Sequence, residues 1–360
     1  MDFGLSEDQK LLEETARGFL ADQVSIDKVR ALRDEKTWND RGLWQELAGL
    51  GLTGILVPEA QGGAGLSLLD AALVAQATGH AAAPLPYLSS AIMVPVALRA
   101  CGGAAAEDWL AGLASGEIFF GMAVTELWSR REGAEVRLEG GKLSGKAMMA
   151  WDAMGADFVL VALDPSTLAV VRGDASGLGK ERLVTIDVTR CSSELVFSGV
   201  EPEAVFENAD EAIAAMLRAG RIALAADSLG ACESMLAQAV AYSLERKQFN
   251  RVIGSFQSVK HMCAEMVADL EPSRSLVWYA AHSFDAMPEE APVLACHALA
   301  HLSEVGHEIA SVSTQVHGGT GWTDEQNLHF WFKRLGVSRH LLGGPEYLRA
   351  LAADLQGLAA

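Results

Sequence analysis

The stretch Glu245-Arg246-Lys247-Gln248-Phe249-Asn250-Arg251-Val252-Ile253-Gly254-Ser255-Phe256-Gln257 closes one long helical pattern and opens another. Two adjacent cations, Arg246 and Lys247, end the first helix, where the macrodipole favours positive charge. The chain then presents an amide, two aromatic rings and two glutamines before apolar periodicity resumes. Taken alone, the segment is either a charged helix terminus or a ligand-facing loop. A second break follows at Gln315-Val316-His317-Gly318-Gly319-Thr320-Gly321-Trp322. Glycines this dense after a helix either cap it or let a backbone come close to a ligand.

Outward from these segments, the sequence divides into three zones. From Ala209 onward the patterns are long and helical, broken near Phe249–Phe256, Pro288–Pro292 and Gly318–Gly321. Long helices with short connections pack most readily as an antiparallel bundle. Between Glu117 and Phe206 the period shortens to that of strands. Phe119–Val124, Val136–Leu138, Phe158–Ala162, Leu168–Val171, Val184–Val188 and Leu195–Val200 are β-rich runs between Gly, Asp and Ser clusters, as in a small antiparallel barrel or sandwich. From Ser6 to Ser115 the pattern is again helical. Ser6 is the expected cap, Leu11, Leu12, Phe19 and Leu20 recur at helical spacing, and Gly62, Gly63 and Gly65 mark a loop. The expected fold is α+β: an N-terminal helical domain over 1–116, a middle β-barrel or sandwich domain over 117–207, and a C-terminal four-helix bundle over 208–360. There is no βαβ alternation and no Rossmann glycine fingerprint.

Composition narrows the function. The chain has 360 residues, half of them hydrophobic, with 28 basic against 47 acidic side chains and a formal charge of -19. Such a field repels nucleic acid and anionic membrane surfaces, so an anionic ligand must be met by particular arginines. The five cysteines, Cys101, Cys191, Cys232, Cys263 and Cys296, form no CxxC pair and read as small buried residues in a reducing compartment. No apolar run approaches the ~18 residues of a membrane span, and the first ten residues are acidic and polar, so a cytoplasmic protein is expected.

Taken in order and after a β-rich middle, the two quoted segments resemble the acyl-CoA dehydrogenase family. The resemblance extends to Phe3-Gly4-Leu5-Ser6-Glu7-Asp8-Gln9, Leu50-Gly51-Leu52-Thr53-Gly54, Val57-Pro58-Glu59-Ala60-Gln61-Gly62-Gly63 and Val124-Thr125-Glu126. It implies an FAD that lies across a subunit interface in a tetramer or paired dimer. Arg246, Gln248 and Phe249 would then meet the ADP half of a neighbour's flavin, with Phe256, Gln257, Gln315, Gly318 and Gly319 lining the same region. Thr125 would contact cofactor from the sheet domain. Arg246 offers a fork of donors suited to pyrophosphate.

The chain also departs from the family. The implied reaction removes a proton beside a thioester carbonyl while a hydride leaves the next carbon for the flavin, so a carboxylate must face the first carbon in a closed site. The family places that base just before a glycine in its last motif. Here the motif reads His340-Leu341-Leu342-Gly343-Gly344, which puts Leu342 at the position. The alternative position, on the helix before the arginine motif, falls on Gly220. Asp227 lies two helical turns beyond Gly220 within the apolar run Ile222–Leu229. It is either a substitute base or the structural partner of an arginine such as Arg221 or of a backbone donor.

The family's Pro-Gly-Ala-Gly-Ser-Asp loop is replaced by Leu127-Trp128-Ser129-Arg130-Arg131, and its Trp-Ile-Thr contact by Met149-Ala150-Trp151. Nucleotide-facing residues are thus retained while ring-facing and base residues are altered, which resembles the smaller partner of α2β2 heterotetramers that handle bulky acyl chains, including steroid side chains. The implied function is FAD-dependent α,β-dehydrogenation of an acyl-CoA thioester, shared with a homologous subunit that supplies the carboxylate and passing electrons to an electron-transfer flavoprotein. The alternatives are a homomeric dehydrogenase using Asp227 and a non-catalytic scaffold. His297, His301 and His307 with Glu304 share a helix face but read as packing or surface residues rather than a metal site. Phe330, Trp331 and Phe332 read as interface packing.

Overall fold

The structure, a computed structural model, describes residues 4–35, 40–129 and 131–358. Phe3 and Arg130, which belong to the motifs above, lie outside the described residues. The chain forms two compact units. One comprises Met1–Arg30, Ala72–Ala83 and Arg221–Ala360, the other Ala31–Ala71 and Pro84–Gly220.

Helices open the chain: α1 (Glu7–Gln23), α2 (Ile26–Glu35), α3 (Arg41–Gly49), α4 (Leu68–His80), α5 (Val94–Cys101) and α6 (Ala104–Ser115). Ser6 starts α1 with a capping box: its hydroxyl accepts from the Gln9 amide, and the Gln9 side chain accepts from the Ser6 amide. A buried π-helical turn, Tyr87–Met93, leads directly into α5. Nothing in the apolar periodicity signals that turn.

Eight strands form the sheet: β1 (Phe120–Ala123), β2 (Glu135–Glu139), β3 (Lys142–Trp151), β4 (Phe158–Asp164), β5 (Thr167–Arg172), β6 (Leu178–Arg182), β7 (Ser192–Val200) and β8 (Ala204–Phe206). Their order is β6-β7-β3-β1-β4-β5-β8, with β2 paired to β3. The expected sheet was antiparallel; β1 and β4 instead run parallel, with Phe120 opposite Phe158. The Val184–Val188 run is not a strand. Leu178–Arg182 already pairs with β7 through Leu178↔Phe197 to Arg182↔Ser193, which leaves the following apolar residues no ladder to join, and Val184 is 92% exposed. Val159, Val161, Ala169, Val171, Leu195 and Phe197 fill the core of the sheet. Arg41 clasps the same unit, donating to both carboxylate oxygens of Asp157 at 3.0 Å and lying over the Phe119 ring.

The remaining helices are α7 (Asp210–Glu245), α8 (Gln257–Ala286), α9 (Ala291–His317), α10 (His329–Ser338) and α11 (Gly344–Leu355). α9 packs against α8, α10 and α11 and buries Leu299, Leu302, Ile309 and Val316. Glu233 of α7 accepts from Arg17 of α1 at 2.6 Å, from Gln76 of α4 at 2.7 Å, and from Arg274 of α8. One half-buried carboxylate therefore ties three helices to α7. No described helix is long and apolar enough to cross a membrane.

Candidate functional site

The break after α7 is a two-stranded hairpin, Lys247–Gln248 (β9) against Arg251–Val252 (β10). Its two central residues, Phe249 and Asn250, both take left-handed backbone angles, φ 53° and 62°, as a tight type I′ turn requires. The turn carries the Phe249 ring out to 86% exposure. Arg246, Gln248 and Gln257 are exposed as well. Phe256 meets Phe249 edge-on at 6.1 Å and has the Arg251 guanidinium 3.9 Å over its face. The hairpin is therefore a preformed projection bearing a cation, an amide and an aromatic face.

The glycine-rich break after α9 is a 3-10 turn, Gly318–Trp322. Gly318 adopts φ 64°, and a side chain on Gly318 or Gly319 would meet open space, so the backbone there is bare and reachable. The two motifs are joined through Tyr242, one helical turn before Arg246. Its ring stacks on His317 at 4.5 Å and its hydroxyl lies 3.3 Å from that of Thr320, while its carbonyl accepts from the Arg246 amide at 2.9 Å. His317 is fixed in turn by Nδ1, 2.8 Å from the Ser313 carbonyl. The sequence reading missed Tyr242 and Thr320. The spacing of one turn between Tyr242 and Arg246 is the signal that would have pointed to the first.

In the sheet, β3 is irregular between Ala147 and Ala150, and Met149 there has φ 57°. Bulges of this kind re-aim side chains beside functional sites. The Thr125 hydroxyl is spent on the Met149 carbonyl at 3.0 Å, and Glu126 accepts from the Met148 amide at 2.8 Å. Burial pushes the Glu126 carboxyl up. Trp151, in place of a hydroxyl residue, is buried with an indole N–H that has no partner among the described residues, and it lies 6.0 Å from the Trp128 ring. An orphaned donor of this sort costs about 1–3 kcal/mol. Nearby is a cleft of about 690 Å³ whose lining includes Glu126, Glu135, Glu139 and Asp164 against Arg131 and Arg137, a balance that disfavours phosphate.

Neither position at which the resemblance expects a base, Leu342 or Gly220, holds a carboxylate. Leu342 is fully buried at φ 56°, ψ 23°. A side chain at Gly220 would meet the Met93 sulfur at 2.7 Å. Asp227 is 1% exposed and receives Arg334 Nε at 3.0 Å and Nη2 at 2.5 Å. The geometry favours the structural reading of Asp227, with a correction: its arginine is Arg334, not Arg221. Phe330 and Trp331 are buried within the chain, the Trp331 indole donating to the His80 carbonyl at 2.9 Å. His301 Nε2 lies 3.0 Å from the Ser273 hydroxyl and Glu304 pairs with Arg339.

Two family models match the chain: acyl-CoA dehydrogenase, N-terminal domain, over residues 6–117, and acyl-CoA dehydrogenase, C-terminal domain, over 211–355. The chain belongs to the acyl-CoA dehydrogenase family. It is 31% identical to acyl-CoA dehydrogenase IpdE2 of Mycobacterium tuberculosis, an alignment covering 97% of this chain and 98% of that one. IpdE2 of Mycolicibacterium smegmatis is 29% identical over 98% of this chain and 100% of its own. Among solved structures, a variant of the Tcur3481-Tcur3483 steroid ACAD superposes with TM-score 0.87 at 29% identity, covering 98% of both chains. The ChsE4-ChsE5 complex of Mycobacterium tuberculosis gives 0.89 at 25% identity, covering all of both. The chain is thus an oxidoreductase of an FAD-dependent family. Its hairpin, with exposed cation and ring beside bare glycine backbone, fits a nucleotide half. The sheet is less accommodating to a flavin ring, because the Thr125 hydroxyl is already engaged and Trp151 stands where a hydroxyl would serve.

Proposed function

We propose that this chain is one subunit of a hetero-oligomeric acyl-CoA dehydrogenase, in which a homologous subunit supplies the carboxylate that removes the proton. The observation that carries the reading is the pair of expected base positions, one a buried leucine and the other a glycine, neither of which offers a carboxylate. Arg246, Gln248, Phe249, Phe256, Gln257, Gln315, Gly318 and Gly319 would hold the ADP half of a flavin shared with that partner. Thr125 would act from the sheet side by fixing the Met149 turn. FAD, when bound, supplies the hydride acceptor. Arg246 neutralises pyrophosphate charge, and the Phe249 ring excludes water from the nucleotide. Relatives named as paired or steroid enzymes support a bulky, steroid-like acyl group. An electron-transfer flavoprotein is the proposed electron acceptor, the cytoplasm the proposed compartment, and 1–116, 117–207 and 208–360 the proposed domains. The homomeric reading through Asp227 is disfavoured by the guanidinium that already holds that carboxylate.

The test is flavin content after purification, alone and after co-expression with a homologue that carries a base. The co-expressed pair is expected to retain FAD, and Arg246→Ala or Phe249→Ala to weaken its retention about tenfold or more. Because both side chains are exposed, folding stability should move by no more than about 0.5 kcal/mol. A chain that alone retains one FAD and oxidises an acyl-CoA would overturn the reading, as would a pair without flavin, the mark of a scaffold.

A further inference from the structure

Each of the two segments proposed to grip the nucleotide is locked to its own helix. The Arg246 amide donates to the Tyr242 carbonyl at 2.9 Å and the Ile253 amide to the Arg246 carbonyl at 2.8 Å, so the hairpin is fastened to the last turn of α7. The turn after β10 lies close on that helix: a side chain on Gly254 would stand 2.9 Å from the Ser243 carbonyl oxygen. At the other segment, a side chain on Gly321 would stand 2.9 Å from the Thr314 carbonyl oxygen and 3.0 Å from His317 Cβ, so the glycine turn is folded against the end of α9. Two such blocks hold one ligand only if their separation is fixed, because a misplacement of about 1 Å is enough to spoil a functional geometry.

Tyr242 spans the gap between them. Its ring stacks on His317 with centroids 4.5 Å apart and planes 25° from parallel, and its hydroxyl lies 3.3 Å from Thr320 Oγ1. The direction of that bond follows from the neighbours. Thr320 Oγ1 donates its hydrogen to the His317 carbonyl at 2.9 Å, which leaves the oxygen to accept from the tyrosine. His317 Nδ1, 2.8 Å from the Ser313 carbonyl, must carry a hydrogen, since a carbonyl only accepts. The imidazole is thereby held in the plane that the tyrosine ring meets. Among the described residues, these are the hydrogen-bond and ring contacts that cross from the end of α7 and its hairpin to the end of α9 and its turn. Tyr242 is half-buried, whereas Arg246 and Phe249 one to two turns later are exposed, which places it behind the ligand-facing side chains.

We propose that Tyr242 is a positioning residue for the flavin nucleotide. It sets the distance between the Arg246 hairpin and the Gly318–Gly319 backbone, and it acts through Arg246 rather than by touching the ligand. This rests on the reading given above, in which those two segments hold the ADP half of a flavin.

The test is a double-mutant cycle on the pair co-expressed with a base-carrying homologue, stripped of flavin and titrated with FAD by flavin fluorescence. Tyr242→Leu is expected to weaken FAD binding about tenfold. In the Arg246→Ala background the same change should cost less than about threefold, because the grip that it positions is gone. A tyrosine with a merely structural role would lower affinity by the same factor in both backgrounds, and equal losses overturn the proposal. Where the leucine variant does not fold, a second cycle decides. Tyr242→Phe keeps the stack and gives up the hydroxyl, so FAD should weaken about threefold in the unmutated background and no further once Thr320→Val is present. Losses that multiply in that cycle, or a phenylalanine variant as tight as the unmutated pair, overturn the proposal equally. If the unmutated pair takes up no FAD, the nucleotide reading itself fails and the proposal falls with it; full FAD affinity in Tyr242→Leu sinks only the role of Tyr242.

Discussion

Replacing Arg334 with methionine is expected to destabilise the fold by about 3–5 kcal/mol, because it strips a buried carboxylate of its counter-charge. Asp227 and Arg334 are 1% and 3% exposed, and the guanidinium also donates to the Ala83 carbonyl at 3.4 Å. The Thr78 hydroxyl, 3.4 Å from Asp227 Oδ2, is too weak a donor to replace it. Changing both members, Asp227→Leu with Arg334→Met, should recover most of the loss, since removing a whole buried pair is often neutral. Urea denaturation midpoints of the two single variants and the double variant decide the matter. A single variant within about 1 kcal/mol of the unmutated chain would show that the pair carries little of the stability.

Gly230→Ala is expected to be of comparable severity for a different reason. α4 and α7 approach backbone to backbone: a methyl on Gly230 would lie 1.8 Å from the Gln76 carbonyl oxygen, and one on Gly79 would lie 1.8 Å from that of Asp227. Neither oxygen belongs to a side chain that can swing away, so the helices must separate, at about 3 kcal/mol or more. Gly336→Ala is the control. It lies in α10 with nothing within 4 Å of the added carbon, and helix propensity should make it neutral or stabilising by up to about 1 kcal/mol. Equal melting temperatures for Gly230→Ala and Gly336→Ala would contradict the close approach.

The close approach and the ion pair bear on what the sequence could reveal. Asp227 in an apolar run announced that it needs a partner, yet Arg334 lies 107 residues away, and local patterning carries no information at that range. Arg221, six residues from Asp227, is the natural local choice and points elsewhere. The helical zones and Ser6 cap were legible because they follow from periodicity and one side chain. β6 was not: Leu178-Gly179-Lys180-Glu181-Arg182 is polar, and it is a strand because β7 offers a partner, whereas Val184 and Ile186 have β propensity and no ladder. At the site, the left-handed Phe249-Asn250 turn lacks the glycine that usually signals such a hairpin. The absence of a carboxylate at Leu342 and Gly220 was legible directly, since a motif can be compared position by position, and the structure adds that a side chain at Gly220 would meet the end of Met93.

Anaerobic mixing of an acyl-CoA with the FAD-loaded protein tests the proposed division of labour between subunits most directly. The chain alone should leave the flavin absorbance unbleached, while the same chain assembled with a homologue that carries a carboxylate at the base position should bleach in a single turnover. Bleaching by the isolated chain, abolished by Asp227→Asn in a variant that still folds, would contradict it.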